Sequence, residues 1–181
     1  DTDFIYRLDV DGTNQVEILS RTGGLSSGYL YGPKIDPENG YLYFSILYSG
    51  TVNRVPINIG TGQVSAIEEL YDFADISISN AQPYTLEIDP TTNKLFIGNF
   101  DAFFGGNSDA NGLFSGSMDG TDPLTDLNQF PQPVTKIQWD PSTQSIFYLG
   151  NGALQFYNIT SNERGLPGNL SPLRSLFDIL L

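Results

Sequence analysis

Short apolar runs separated by polar turns follow one another along the whole chain. Alternating runs that are rich in aromatic and β-branched residues are typical of strands. Only residues 173–181 come close to a sustained helical period. The pattern therefore predicts an all-β chain, with strands near 34–36, 42–47, 52–59 and 64–73 that recur in two further units and no helix longer than about two turns.

A segment built around an Asp-Pro pair occurs three times, about 50 residues apart. The copies are Lys34–Phe44, Glu87–Ile97 and Gln138–Tyr148. In each copy a short strand ends at Asp-Pro, a polar turn follows, and an aromatic strand comes next. We interpret each copy as a hairpin in which the aspartate makes the turn and binds no ligand. These aspartates are Asp36, Asp89 and Asp140.

Two further apolar runs follow each hairpin. The third runs are residues 52–59, 113–118 and 154–159, and the fourth runs are residues 64–73, 124–130 and 173–181. Four short strands in a unit of about 50 residues are the sequence signature of a β-propeller blade. The N-terminal stretch matches the second half of such a unit, with Phe4–Asp9 as its third strand and Val16–Leu19 as its fourth.

The chain is predicted to form one partial propeller domain of about three and a half four-stranded blades. Residues 1–31 are assigned to the C-terminal half of a blade, and residues 32–82, 83–132 and 133–181 to three full blades, the second with a loop insertion at 101–112. The complete propeller would have six or seven blades. Open blade faces and strand edges need a cover, so we expect the remainder of the same polypeptide, other protein subunits or a second copy to supply it.

Composition narrows the partners and the chemistry. The chain has 21 acidic and 8 basic residues, a formal net charge of -13, and neither cysteine nor histidine. Nucleic acids and anionic membranes are held by clustered Lys and Arg, so neither is an expected partner. Disulfides, thiolate nucleophiles and imidazole bases are excluded, and no apolar stretch approaches the roughly 20 residues needed for membrane insertion.

Aromatic residues at alternating strand positions are predicted to fill the core between blades and not to form a sugar-binding platform. They are Tyr43, Phe96, Trp139 and Phe147.

The repeat resembles the low-density lipoprotein receptor class B repeat, the YWTD β-propeller. Its best-matching stretch is Asp3–Asn14, with Thr2 and Asp3 at the end of the YWTD tetrapeptide. Arg54 matches the arginine of the repeat, whereas Ser115 and Phe156 stand at the next two such positions. The tetrapeptide lacks its final Thr-Asp in Tyr43–Ile46, Phe96–Asn99 and Tyr148–Asn151. The resemblance implies an extracellular, six-bladed propeller that makes protein contacts, with no catalytic residues to carry over.

One loop has the oxygen donors of a calcium site. Asn107, Asp109 and Asn111 lie at alternate positions and Gly112 follows, as in the first half of an EF-hand loop, although Met118 occupies the place of the bidentate glutamate. The alternative is a plain glycine-rich connection. A second acidic stretch, Asp9–Asn14, is better explained as a hairpin turn than as a metal site.

An N-glycosylation acceptor occurs as Asn158-Ile159-Thr160. A second triplet begins at Asn169 but is followed by Pro172, which disfavours its use. If the protein is secreted by a eukaryote, Asn158 is expected to carry a glycan and Asn169 is not.

Three function classes follow from these features. The first is a non-catalytic extracellular scaffold, interaction or adhesion module, within a filament or matrix assembly, and this is the class we favour. The second is a propeller enzyme resembling lactonases or glycosidases. The third is a calcium-dependent carbohydrate-binding module that uses the loop near Asp109. One architecture carries many chemistries, so the fold cannot decide among them.

Overall fold

The computed structural model describes residues 4–20, 28–79, 81–100, 111–127, 132–150 and 152–166. Within these ranges the strands, in chain order, are β1 (Phe4–Arg7), β2 (Val16–Ser20), β3 (Leu30–Asp36), β4 (Tyr41–Ile46), β5 (Thr51–Pro56), β6 (Glu68–Asp72), β7 (Pro83–Asp89), β8 (Lys94–Asn99), β9 (Gly112–Ser117), β10 (Thr125–Asp126), β11 (Val134–Asp140), β12 (Ser145–Gly150), β13 (Ala153–Asn158) and β14 (Glu163–Gly165). A short 3₁₀ helix, Phe73–Ile76, follows β6. No helix in these ranges is long and apolar enough to span a bilayer.

The strands form three four-stranded sheets and one two-stranded sheet, all antiparallel and all in sequence order. We call β3–β6 the first blade, β7–β10 the second, β11–β14 the third, and β1–β2 the half-blade. The prediction of an all-β propeller with about three and a half blades is confirmed.

The outermost strand of the third blade differs from the prediction. Glu163–Gly165 pairs with β13 and completes the sheet, so the assignment of residues 173–181 to that strand is wrong. The chain reverses directly after β13, because the side chain of Asn158 accepts hydrogen bonds from the backbone N–H groups of Thr160 and Ser161. The strand itself is polar and mostly exposed, so it shows no apolar run. Residues 173–181 lie outside the described residues.

The Asp-Pro turns are built as expected. The Asp36 carboxylate accepts the backbone N–H groups of Glu38 and Asn39, both at 3.2 Å. Asp89 and Asp140 accept the N–H two residues later, at 3.1 and 2.9 Å. Each turn then passes through a left-handed residue, and these residues are Gly40, Asn93 and Gln144. The carboxylates therefore satisfy the turn backbone, which confirms their structural role.

The hairpin prediction for residues 9–14 is also confirmed. The Asp11 carboxylate accepts both the N–H and the hydroxyl of Thr13, and Gly12 supplies the positive φ of 81° that the turn requires. These hydrogen bonds hold the pKa of Asp11 below its ordinary value.

The hydrophobic core lies between the blades. Tyr43 packs in the cluster between the first and second blades, and Phe96 and Trp139 pack in the cluster between the second and third, with ring centroids 5.0 Å apart. Phe147 is buried as well. The core role between blades is confirmed for Tyr43, Phe96 and Trp139, whereas Phe147 lies 6.5 Å from Phe156 of its own blade, measured between ring centroids. Burial of side chains of this size contributes about 1.5–3 kcal/mol each.

Polar contacts fix neighbouring blades against each other. They include Ser45 Oγ donating to the Pro83 carbonyl at 2.6 Å and the Tyr71 hydroxyl donating to the Ser117 carbonyl at 2.8 Å. Arg54 forms an ion pair with Glu68 at 2.7 Å and reaches across to the Met118 carbonyl at 3.0 Å. Equivalent ends of adjacent sheets consequently lie side by side.

Candidate functional site

The strands run in the same directions in every blade, so equivalent ends can be compared. At one end the first strand begins, the second strand finishes and the third strand begins. The register pairs that mark this end are Leu30 with Ile46, Pro83 with Asn99, and Val134 with Gly150. We call it the tyrosine end, and we call the opposite end, where the Asp-Pro turns lie, the Asp-Pro end.

Five aromatic rings lie at the tyrosine end of the first two blades, in two contacting sets. They are Tyr29, Tyr31, Tyr48, Tyr84 and Phe100, and we call them the aromatic cluster. Tyr29 and Tyr48 meet edge to face, with centroids 5.5 Å apart. Tyr31 lies 4.6 Å from Tyr84, which lies 5.8 Å from Phe100. The second set of contacts crosses from β3 to β7, so the cluster joins two blades into one surface.

Part of this cluster faces solvent. Tyr48 is 53% exposed and Tyr29 is 37% exposed, whereas the other three rings are half-buried. Burial, followed by the neighbouring Tyr84 and the other tyrosines, raises the pKa of the Tyr31 hydroxyl above its ordinary value. That hydroxyl therefore stays protonated and uncharged in the physiological range, where it can donate and accept hydrogen bonds.

A tight turn presents Tyr48 to solvent. The N–H of Leu47 donates to the Tyr29 carbonyl at 2.9 Å, and Ser49 Oγ donates to the Ile46 carbonyl at 3.0 Å. Tyr48 itself has a φ of 69°, in the left-handed region that bulky residues seldom occupy. The other described non-glycine residues with a positive φ are Asn, Ser or Gln, so Tyr48 is the bulky exception among them.

The third blade continues the same end with amide groups. Gln155 Nε2 donates to Gln132 Oε1 at 3.0 Å and to the Gly150 carbonyl at 3.2 Å, and the Tyr148 hydroxyl donates to Gln155 Oε1 at 3.0 Å. This network is uncharged. The tyrosine end of the third blade therefore carries polar, uncharged groups.

The tyrosine end and the Asp-Pro end of the blades differ in charge. Among described residues, the loops that enter β3 and β11, and those that join second to third strands, contain no Asp, Glu, Lys or Arg, whereas the connection that enters β7 contains Asp75. The carboxylates nearest to this end, Asp72, Asp75 and Asp126, lie on or beside the outermost strands. The Asp-Pro end carries many carboxylates. Within the described residues, the tyrosine end is therefore poor in charge in a protein of net charge -13.

The predicted calcium ligands are not brought together here. Asn107 and Asp109 lie outside the described residues, and Asn111 is half-buried just before β9, at the tyrosine end. Within the described ranges, no group of three or more Asp and Glu side chains is arranged to hold a metal ion. The calcium site remains a prediction.

Asn158 ends β13 and makes a turn at the Asp-Pro end. Its Nδ2 donates to the Thr143 carbonyl at 2.7 Å and to Ser145 Oγ at 3.1 Å. In the first blade Asn58, which has no acceptor triplet, plays the same part, since its side chain accepts the N–H of Thr61. A glycan on Asn158 would replace one of the two Nδ2 hydrogens. Asn169 lies outside the described residues.

The aromatic cluster was not found by sequence reasoning. Its detectable sequence trace is a tyrosine placed five residues before the aspartate of an Asp-Pro pair, at Tyr31 and again at Tyr84. The third unit has Thr135 there, which makes the pattern weak. Tyr29, Tyr48 and Phe100 lie in loops, where the alternation of apolar and polar residues does not predict which way a side chain points.

Comparison with known proteins identifies the class of fold. No protein-family model and no curated protein matches the sequence. A chain of the nidogen/laminin complex is similar with a TM-score of 0.68 and 16% identity, over 89% of this chain and 55% of that one. A gluconolactonase from Xanthomonas campestris gives 0.59 and 14%, over 83% and 42%. The extracellular domain of a one-component system from B. thetaiotaomicron gives 0.61 and 15%, over 91% and 20%.

The chain therefore has the fold of a β-propeller and spans about half or less of the length of these structures. Identities this low show the fold alone. Proteins with different activities share it, including a lactonase, so function has to be argued from the site.

Proposed function

We propose that this chain is part of an extracellular, YWTD-like β-propeller that binds another protein through its tyrosine end and catalyses no reaction. The single observation that supports this proposal most directly is the exposed, strained Tyr48 within the aromatic cluster. The centres of protein interfaces are enriched in Tyr and Phe and depleted of Lys, Glu and Asp, and the described residues of the tyrosine end are rich in Tyr and poor in charge.

Several features support the extracellular assignment. The repeat resembles the YWTD propeller, and a structurally similar chain is described as an extracellular domain. Asn158 is the proposed glycan acceptor. Peptide mass spectrometry of native material should find a glycan on Asn158 and none on Asn169, and an unmodified Asn158 would remove this support for secretion.

The proposal also names the protein partners that would cover the open blade face. Other protein subunits, a second copy or the remainder of its own polypeptide are proposed to cover the open face beside the half-blade. Ile35 illustrates why, because it is 48% exposed while Trp139, at the equivalent position of the third blade, is buried against the preceding blade. An exposed apolar blade face is unfavourable in water.

Hydroxyl-radical footprinting tests the binding role directly. The purified chain is compared with the protein left in its native assembly, and oxidation is quantified at Tyr29 and Tyr48. Both should be protected in the assembly. Ile59, 40% exposed in the Asn58 turn at the Asp-Pro end, lies away from both proposed contacts and serves as the control.

Equal oxidation of Tyr29 and Tyr48 in both samples would contradict the proposal. Two further outcomes would favour its alternatives. Turnover of a sugar lactone by the intact chain would support the propeller enzyme, and a calcium-dependent thermal shift together with glycan binding would support the module that uses Asn107, Asp109 and Asn111.

A further inference from the structure

We propose that Tyr31 and Tyr84 form an oxidative cross-linking site, at which an oxidant of the peroxidase class couples the two rings through a carbon–carbon bond and joins the first and second blades covalently. Such a link needs no partner protein, so it goes beyond the proposed binding function. Three features of the pair support it: the closeness of the rings, the fixed backbone that carries them and the position of their hydroxyl groups.

The two rings are in contact across the joint between the blades. Tyr31 is on β3 and Tyr84 is on β7, the first strands of their blades. The ring centroids are 4.6 Å apart and the ring planes differ by 32°. Both side chains are half-buried, so each keeps a solvent-facing part that an oxidant can reach while the packing holds the rings together.

The backbone that carries the pair is fixed. Ser45 Oγ is fully buried and lies 3.1 Å from the Tyr31 carbonyl and 2.6 Å from the carbonyl of Pro83, the residue before the second ring. An added Cβ on Gly32 would lie 2.9 Å from the backbone nitrogen of Leu86, so the two strands approach closely here. Groups held in contact react with each other far faster than groups that must first meet by diffusion. Coupling within the pair is therefore favoured over coupling between molecules.

The hydroxyl groups of the pair are neighbours as well. Burial raises the pKa of the Tyr31 hydroxyl most, and the charge of Tyr84 and a hydrogen bond with it raise that pKa further. Oxidative coupling of phenols joins the ring carbons next to the hydroxyls, so the two oxygens stay adjacent in the product. The pair therefore already has the arrangement of oxygens that the linked product keeps.

The coupling step balances with the oxidant alone. Each phenol gives one electron and one proton to the oxidant, and the two ring radicals form one bond between the carbons next to the hydroxyls. The bonded carbons then release their ring protons while the oxygens take protons back. The pair loses two hydrogen atoms in total, and these reduce one molecule of hydrogen peroxide to two of water.

Two other described tyrosine pairs meet these conditions less well. Tyr29 and Tyr48 are the more exposed, but their rings meet edge to face at 61° with centroids 5.5 Å apart. The rings of Tyr41 and Tyr43 are 6.3 Å apart, and Tyr43 is almost fully buried. If exposure alone decided the reaction, the first of these pairs would couple. The geometry selects instead the pair that joins the two blades.

A link between Tyr31 and Tyr84 would serve as a disulfide does. The chain has no cysteine, so no disulfide can join its blades. The bond would close a loop of about 50 residues, which restricts the unfolded chain and so favours the folded one. Thr135 stands at the equivalent position of the third blade, so the second and third blades lack the same pair at this place.

The test oxidises the intact chain, at low concentration, with a haem peroxidase and hydrogen peroxide. We expect the monomer to lose the mass of two hydrogen atoms and to yield, after digestion, a peptide that joins residues 31 and 84. The melting temperature should rise by about 5–10 °C relative to the unoxidised chain. Native material should contain the same linked peptide, an expectation that rests on the proposed extracellular location, where conditions are oxidising.

Matched variants separate the pair from general oxidation. Tyr84→Phe keeps a ring but lacks the phenol, so it should form no link and gain no stability on oxidation. Tyr48→Phe removes one member of the more exposed pair and should leave the link unchanged. Tyr6→Phe removes a tyrosine that is 41% exposed and stacks on Phe4, and it should leave the link unchanged too. Melts before oxidation show whether each variant folds as the wild type does.

Four results would overturn the inference: a chain that loses no hydrogen, a link within another pair such as Tyr29 and Tyr48, dimers as the main product, or native protein in which Tyr31 and Tyr84 are unlinked. Failure here is distinguishable from failure of the binding role. Footprinting of Tyr29 and Tyr48 in the native assembly judges that role, whether or not the cross-link forms.

Discussion

The two ends of the blades use polar and aromatic residues in opposite ways. At the Asp-Pro end, side chains bond to the backbone of their own turn, as the Asp36 carboxylate does with Glu38 and Asn39. At the tyrosine end, side chains contact one another and solvent, as Tyr29 and Tyr48 do. The first arrangement stabilises a turn. The second leaves the rings of Tyr29 and Tyr48 partly exposed, and it costs stability where Tyr48 adopts a positive φ.

The comparison predicts a large stability loss at the Asp-Pro end. Asp36 is fully buried and accepts three hydrogen bonds, two from backbone N–H groups and one from Asn39 Nδ2 at 2.7 Å. Asp36→Ala should lower the free energy of unfolding by about 3 kcal/mol, because the turn loses all three hydrogen bonds to a charged, buried acceptor. Urea denaturation measures the change. Glu38→Ala, on an exposed position of the same turn, should stay within about 0.5 kcal/mol, and equal losses in the two variants would refute the structural role.

A second prediction concerns the packing between the second and third blades near the tyrosine end. Gly98, near the end of β8, sits so close to its neighbours that an added Cβ would lie 2.5 Å from Thr85 Cγ2 and 2.7 Å from Val134 Cγ1. Gly98→Ala should therefore destabilise the protein by about 2 kcal/mol through overpacking between the second and third blades. Thermal unfolding checks this.

Gly60→Ala is the matched control for Gly98→Ala. Its added Cβ would approach nothing closer than Asn58 Oδ1 at 3.4 Å, in an exposed turn. Its melting temperature should stay near that of the wild type. A Gly98 variant with wild-type stability would mean that the blades separate easily at this end.

The pH dependence of stability should come from the Asp-Pro end. Burial raises the pKa of Asp140, but hydrogen bonds from Ser142 and Thr143 outweigh it, so the pKa lies below the ordinary 3.8. A lowered carboxyl pKa contributes stability that is present above 3.8 and is lost as the pH falls below that value through the folded pKa. Unfolding free energies measured from pH 7 downward should therefore drop in this acid window.

Asp140→Asn should make that acid drop shallower, because the group no longer titrates. Combining it with Ser142→Ala should add little further change in slope, since the donor has then lost its charged acceptor. An unchanged slope in Asp140→Asn would assign the acid sensitivity to other carboxylates, such as Asp119, whose pKa the hydroxyl of Thr121 lowers most strongly.

The structure of the Asp-Pro end can be predicted from the sequence, whereas that of the tyrosine end cannot, and the reason is physical. Asp-Pro pairs, turn residues and alternating aromatics act through local geometry that repeats in every unit, so the roles of Asp36 and Tyr43 follow from the sequence pattern alone. The aromatic cluster depends on how neighbouring blades align, which brings Tyr31 to Tyr84 across two sheets. No local pattern encodes that alignment. The last strand escapes prediction because Glu163–Gly165 is short and polar, and its pairing follows from the Asn158 turn.

The variant with the smallest expected change in stability, Tyr48→Gly, gives the sharpest test of the difference between the two ends. Glycine adopts a φ of 69° without steric cost, so Tyr48→Gly should relieve about 1 kcal/mol of backbone strain while losing about as much from the Tyr29 contact and from chain entropy. Its free energy of unfolding should therefore match the wild type within about 0.5 kcal/mol. Binding of the proposed protein partner should nevertheless weaken, because the exposed ring is lost. Urea denaturation measures the stability, and retention of the variant in the native assembly measures the binding. If stability fell with binding, Tyr48 would be a structural residue like those of the Asp-Pro end, and the functional distinction between the two ends would be lost.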